Sequence, residues 1–197
     1  MSLQQLADNT PIIIAAGQHT QHSPGSQSPM DLAGLAAKAA LSDAGLKNGA
    51  AIDTIAVVRL FSDSAPNWQN NFGRSNNPPM SIAQRIGARP QHCIYSETGG
   101  TQPRTLLLVR CEAIANGEKS MALIAGVEAL ANQKNAQRNG TDLNWEENFE
   151  QAMEDRGFGD IPVSNEELAN GLFAPVHYYA LIENARAHRL GLDSQAY

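Results

Sequence analysis

The first 130 residues alternate between short apolar runs and segments of helical length, and this order constrains the fold more than any other feature. The runs are rich in β-branched residues, which predicts strands. A helical segment separates each run from the next, an order typical of a parallel sheet with crossover helices. We therefore predict an α/β fold with a mixed, mainly parallel sheet. The four runs are PIIIAAG (11–17), IDTIAVVRLF (52–61), HCIYS (92–96) and SMALIAGVEAL (120–130).

Three helices are predicted between these strands. Ser28, followed by Pro29 and Asp31, is typical of a capped helix start, and Gly45 predicts its end. The buried stripe of this helix is predicted at Leu32, Leu35, Ala36, Ala39 and Ala40. A short helix covers SIAQRIG (81–87), and a third runs over 103–116. The third is apolar on most sides, so it should be covered on more than one face.

Composition excludes several classes of function. The net charge is −6 and no cluster of Lys and Arg exists, which argues against nucleic acid as a partner. No apolar run approaches the ~20 residues of a membrane span, and the N-terminus lacks the pattern of a signal peptide. Cys93 and Cys111 show no metal-binding spacing and are expected to be free thiols. We expect a cytoplasmic protein with no membrane partner and no metal.

The composition changes at Ala131, beyond which the chain is polar, acidic and poor in β-branched residues. This change predicts an α/β domain over 1–130 followed by a partly helical loop subdomain over 131–197. Within the subdomain, SNEE (164–167) is typical of a capping box, and a later helix is predicted to end at Gly191. Asp193 is typical of the N-cap of one more helix, but only four residues follow it. We therefore expect a truncated chain.

The best candidate site is SETGGTQP (96–103), between a predicted strand and a predicted helix. Ligands of parallel sheets bind beyond the carboxyl ends of the strands, where a helix N-terminus offers free N–H groups. Gly99 and Gly100 permit close approach of a ligand. The alternative is a tight connection, with Thr98 or Thr101 capping the helix. The turn is neither a Walker loop nor GxGxxG, and no GxSxG surrounds its hydroxyls.

Two other regions of the sequence are weaker candidates for function. His19 and His22 follow the first predicted strand, at the same sheet edge, so one of them could be a general base or a ligand contact. Solvated loop histidines are the alternative. The segment 62–79 is long and polar, and loops of that length in compact domains are usually functional or contact a partner.

Five stretches, in order, resemble thiolases, the acyl-CoA acetyltransferases that make or cleave 3-ketoacyl-CoA. The opening of a thiolase is similar to PIIIAAGQHTQHS with MDLAGLAAKAALSDAGL and IDTIAVV. Later thiolase segments resemble RCEAIANGEKSMALIAGVEAL and PVHYYALIENARAHRLGLDSQAY. The resemblance places the nucleophilic cysteine of the family at Gly100, whereas Cys93 lies seven residues earlier. The turn with glycine at this position resembles that of a sterol-carrier-type thiolase-like branch, whose members carry such a turn in place of the cysteine.

The resemblance implies a thiolase-like half-fold in which the helix after the nucleophile is sandwiched between two sheets. It also implies a loop domain that helps to hold coenzyme A, and a second half beyond Tyr197 that this chain lacks. The helix 103–116 would then be exposed here and would promote self-association. The partners implied are acyl-CoA and either a second copy of the chain or the missing half. No covalent cofactor is implied.

The function implied is that of an acetyl-CoA acetyltransferase-like protein, inactive as this chain alone. One alternative is a non-catalytic acyl-CoA binding module, and another is an acyltransferase whose nucleophile comes from the missing half. No catalytic residue is assigned, because position 100 is glycine. The substrate-binding residues expected from the turn and the first loop are Thr98, Gly99, Gly100, Thr101 and His19.

Overall fold

The computed structural model describes residues 7–64, 71–159, 163–193 and 196. The chain divides into two compact units, residues 1–159 and 160–197. The domain boundary predicted at residue 131 stays a prediction. No helix within the described ranges is long and apolar enough to cross a membrane.

The first unit is built on a four-stranded sheet of β1 (Thr54–Val57), β2 (His92–Tyr95), β3 (Ala122–Ala125) and β4 (Glu154–Asp155). The strand order is β3-β1-β2-β4, and every pairing between these strands is parallel. β1 lies inside the sheet and is buried at all of its positions, as is usual for a strand of a parallel sheet. The α/β class and the parallel sheet are thus confirmed.

Four helices accompany this sheet: α1 (Pro29–Asp43), α2 (Pro78–Ile86), α3 (Gln102–Ala115) and α4 (Leu130–Asn139). α1 starts as predicted. The Ser28 hydroxyl accepts a hydrogen bond from the Asp31 amide at 3.0 Å, and the Asp31 carboxylate accepts one from the Ser28 amide at 3.0 Å. This reciprocal pair satisfies two backbone N–H groups at the helix start.

The buried face of α1 is rotated from the predicted stripe, of which only Leu32 is buried. α1 packs against α2 so closely that a Cβ at Gly34 would lie 2.5 Å from the Arg85 side chain. Gly34 therefore faces α2, which the apolar pattern alone does not reveal. The residues that are buried are Met30, Leu32, Ala33, Gly34, Ala37 and Leu41.

The strand predicted over PIIIAAG (11–17) is wrong. These residues join no strand of the sheet, and Ile12, Ile13 and Ile14 are 67%, 74% and 51% exposed. The segment lies instead against α1, where a Cβ at Gly17 would meet the Ala36 carbonyl oxygen at 2.3 Å. A β-branched run becomes a strand only when a partner edge pairs with its backbone, and here that pairing is missing.

Asp53 fastens the start of β3 to the start of β1. Its carboxylate accepts hydrogen bonds from the Ser120 amide at 2.7 Å, the Met121 amide at 3.3 Å and the Thr54 hydroxyl at 2.8 Å. Burial alone would raise the pKa of Asp53, but these bonds and the nearby Lys119 charge outweigh it and lower the pKa. The stabilisation is therefore present above the unfolded-state pKa and is lost as the pH falls through the lower folded-state value.

We expect Asp53→Asn to lower the free energy of unfolding by about 1–2 kcal/mol at pH 7, because an amide cannot accept all three bonds as a carboxylate does. The difference from the wild type should shrink as the pH falls below about 4. Urea unfolding at pH 7 and at pH 3 measures both values. The exposed Asp142 offers a matched control, since Asp142→Asn should change neither. An equal loss at both pH values would contradict the role given to the Asp53 charge.

The second unit contains α5 (Asn165–Ala169) and α6 (Pro175–Leu190). The predicted capping box is confirmed: the Ser164 hydroxyl accepts from the Glu167 amide, and the Glu167 carboxylate accepts from the Ser164 amide. α6 ends as predicted at Gly191, whose φ of +69° suits glycine. The helix predicted to start at Asp193 lies largely outside the described residues.

Candidate functional site

The SETGG turn joins β2 to α3 at the carboxyl edge of the parallel sheet, as predicted. Ser96 is fully buried, and its amide donates to the Val57 carbonyl at 2.9 Å. Its hydroxyl accepts from the Arg59 amide at 3.0 Å and donates to the Glu97 carbonyl at 2.7 Å. Because the hydroxyl proton is already used, Ser96 holds the turn against the end of β1 and is not a free nucleophile.

The two glycines of the turn border open space. A Cβ built on Gly99 or on Gly100 would meet no atom within 4 Å. Gly99 has a φ of +146°, a conformation that favours glycine, and its carbonyl accepts from the Gln102 amide at 3.2 Å. Gly100 does not have a positive φ. Packing and backbone thus leave room for a side chain at position 100.

The N-terminus of α3 presents free donors beside this space. The amides of Gly100 and Thr101 donate to none of the described residues. Thr101 occupies the N-cap position, but its side chain makes no capping bond, because its φ of −85° and ψ of −13° are helical. The Thr98 Oγ1 atom is buried and has no partner in the part of the chain that is described. The predicted capping by either threonine is therefore wrong.

His19 lies in a different cavity from the glycine turn. It is exposed and lines a cavity of about 450 Å³ together with residues of α1 and of the stretch 126–132. None of the residues 98–101 lines that cavity. His22 is exposed as well. The assignment of His19 to the substrate site stays a prediction that this arrangement does not support.

A buried tyrosine organises the same sheet edge. The Tyr95 hydroxyl donates to the Asp63 carboxylate at 2.6 Å and accepts from the Leu60 amide at 3.0 Å. Burial and the neighbouring Asp63 carboxylate raise the pKa of Tyr95, so its hydroxyl stays protonated and remains a donor. The Arg59 guanidinium lies over the Tyr95 ring, 4.3 Å from the ring centre.

Arg59 links this tyrosine to the turn. Its Nε donates to the Ser96 carbonyl at 2.9 Å, and its Nη2 pairs with the Asp155 carboxylate at the end of β4. The backbone that leads into Gly99 is thus held by contacts to β1, β2 and β4. Such cross-strand support fixes a site more firmly than a loop would on its own.

Sequence reasoning missed this network because its members come from distant parts of the chain. The one available signal was the length of the polar segment 62–79, which supplies Asp63 and Arg74, an ion pair with atoms 3.2 Å apart. The network lines an open cavity of about 960 Å³. No group of His, Cys, Asp and Glu side chains within the described ranges is arranged to hold a metal ion.

α3 is only partly covered. Its buried residues are Gln102, Leu106 and Ala113, whereas Leu107 and Leu108 are exposed. Part of the apolar surface expected of this helix is therefore exposed in this chain.

The chain resembles several solved structures. The chain is similar to a monomeric SCP2-thiolase-like protein type 1 from Mycobacterium smegmatis, with 34% identity and a TM-score of 0.50 over 63% of this chain and 24% of that one. It also matches OleA from Xanthomonas campestris bound with cerulenin, with 17% identity and a TM-score of 0.40 over 76% of this chain and 37% of that one. The chain thus spans about a quarter and about a third of these proteins. No family model and no curated protein matches it.

Proposed function

Because the chain belongs to the thiolase superfamily and resembles its SCP2-thiolase-like branch, we propose that the SETGG turn binds the thioester oxygen of an acyl-CoA without forming an acyl-enzyme. The turn would thus perform the binding step of thiolase chemistry but not the acyl transfer. Acyl transfer by a thiolase needs a thiolate that takes the acyl group and donors that stabilise the oxyanion. Gly100 has no side chain to be acylated, which excludes covalent transfer through this position.

One observation carries the proposal: the unused amides of Gly100 and Thr101 at the start of α3, beside open space. Backbone N–H groups at a helix N-terminus, aided by the helix dipole, favour a negative charge or a polarised carbonyl oxygen. They lie at the carboxyl edge of a parallel sheet, where ligands of such sheets bind. The Ser96 and Arg59 contacts hold the turn in place before a ligand arrives.

Thr101→Pro tests the role of the amides. Proline removes the Thr101 N–H, and the Thr101 φ of −85° lies about 20° from the value that proline adopts. We expect the affinity for acetyl-CoA, measured by calorimetric titration, to fall roughly 3- to 10-fold. Thr101→Ala is the matched control, since it keeps the amide and should bind as the wild type does. Absence of heat with acetyl-CoA and with free coenzyme A in the wild type would refute the binding proposal.

Mass spectrometry after incubation with acetyl-CoA separates binding from catalysis. The proposal expects no acetyl adduct on this chain. An adduct on any residue would instead favour the alternative of an active acyltransferase, because it would reveal a nucleophile that the turn does not contain.

We further propose that the chain associates with a second copy through the exposed side of α3. Large exposed apolar patches drive association, and Leu107 and Leu108 are both exposed on α3, where Leu107 lines one cavity together with the exposed residues 12–14. Sedimentation should show a concentration-dependent dimer or larger species. The double change Leu107→Glu and Leu108→Glu should give a monomer, while Thr105→Glu, on an exposed residue of the same helix, should not. A monodisperse wild-type monomer would contradict this assembly.

A further inference from the structure

An apolar cavity of about 620 Å³ lies between the segment 8–17, α1, α3 and β3. Its volume is in the range of small-molecule sites, which is about 300–1,000 Å³. The walls are mainly aliphatic, with contributions from Ile12, Ile14, Ala36, Leu107, Ile114 and Leu123. None of the residues 96–103 lines it, so this cavity is distinct from the glycine turn.

One cationic side chain interrupts the aliphatic lining. Arg110 lines the cavity, and its Nε atom is buried without a hydrogen-bond partner. No ion pair joins Arg110 to any described residue, including Asp8, the one acidic residue that also lines the cavity. A buried guanidinium donor without an acceptor is costly. An anion that enters the cavity would remove this cost.

We propose that the cavity binds an amphiphilic carboxylate, with an unbranched alkyl tail against the aliphatic walls and the carboxylate on Arg110. The planar guanidinium matches a carboxylate and can bind it through two parallel hydrogen bonds. A purely apolar occupant, such as a leucine side chain of a second copy, would fill the walls but leave the Arg110 Nε without an acceptor. The inference goes beyond the proposed thioester binding, because it concerns a separate cavity and a free acid.

Decanoate and 1-decanol are a matched pair of probes, since they share the alkyl tail and differ in the head group. Calorimetric titration of the wild type should show that decanoate binds about 10- to 100-fold more tightly than 1-decanol. This ratio corresponds to the free energy of a hydrogen bond to a charged group. Arg110→Gln should abolish that preference and leave decanol binding unchanged. Arg104→Gln, on an exposed arginine of the same helix, should keep the preference. Equal binding of the two probes by the wild type, or no binding of decanoate, would overturn the proposal.

A second variant keeps the test independent of folding. Ala36→Phe adds bulk from α1 into the cavity and should weaken both probes together, with the circular dichroism of the wild type retained. Decanoate should raise the melting temperature of the wild type but not of Arg110→Gln. If the preference for decanoate survives in Arg110→Gln, Arg110 is not its site and the proposal fails. Acetyl-CoA binding by Arg110→Gln should stay unchanged, so failure here and failure at the glycine turn are distinguishable.

Discussion

Gly100→Cys is expected to carry a covalent acetyl group after incubation with acetyl-CoA, whereas the wild type carries none. The thiolate of the new cysteine would attack the thioester carbonyl, and the coenzyme A thiolate would leave and take up a proton. Position 100 accepts a side chain, since a Cβ meets nothing within 4 Å and φ is not positive. The helix N-terminus lowers the pKa of a cysteine thiol, which increases the fraction of the reactive thiolate.

Intact-mass and peptide mass spectrometry would locate the group. Cys93 and Cys111 are free thiols within the same chain and serve as internal controls, since neither should be acetylated. Gly100→Ala is the matched variant that fills the same space without a nucleophile. If Gly100→Cys binds acetyl-CoA but stays unmodified, the bound carbonyl does not lie at position 100, and the assignment of the turn would be wrong.

Leu106→Ala is expected to lower the free energy of unfolding by about 2–4 kcal/mol. Leu106 is fully buried and packs with Ala56 of β1 and Ile94 of β2, so its removal leaves a cavity where α3 meets the sheet. The same change should weaken acetyl-CoA binding, because Leu106 anchors the first turns of the helix whose N-terminus borders the glycines.

Leu108→Ala is the matched control on the same helix. Leu108 is 55% exposed in the single chain, and for the monomer we expect a change within about 0.5 kcal/mol. Urea denaturation of both variants at one pH, at a protein concentration where the chain is monomeric, measures the contrast. Similar losses for Leu106 and Leu108 in the monomer would mean that Leu108 is buried within one chain, which the structure contradicts.

Local patterns predicted the helix starts well. Each capping box, Ser28 with Asp31 and Ser164 with Glu167, joins residues three positions apart, so the residues themselves contain the whole interaction. The strands within 52–61 and 92–96 were likewise predicted from apolar runs, of which residues 54–57 and 93–95 are buried in the structure. The position of the glycine turn between β2 and α3 follows from these neighbours.

Long-range packing explains what sequence patterns did not reveal. The run 11–17 has strand composition, but composition does not supply a partner edge, and the segment lies against α1 instead. The Tyr95–Asp63 hydrogen bond joins residues 32 positions apart, and the Arg59–Asp155 pair joins residues 96 apart. No local signal marks such pairs. The buried face of α1 was also set by a neighbour, α2, rather than by its own periodicity.

The two edge strands of this sheet differ in how well they could support a further strand. β3 lies at one end of the strand order and β4 at the other, so the chain between residues 126 and 153 passes from one flank of the sheet to the opposite flank. β4 is only two residues long and pairs with Ile94 and Tyr95, whereas the edge of β3 is four residues long. A strand added to this sheet, from residues 11–17 or from another molecule, would have its backbone donors and acceptors met at β3, beside the cavity that contains Arg110. Strand addition and ligand entry would therefore compete for the same flank, and filling one would close the other.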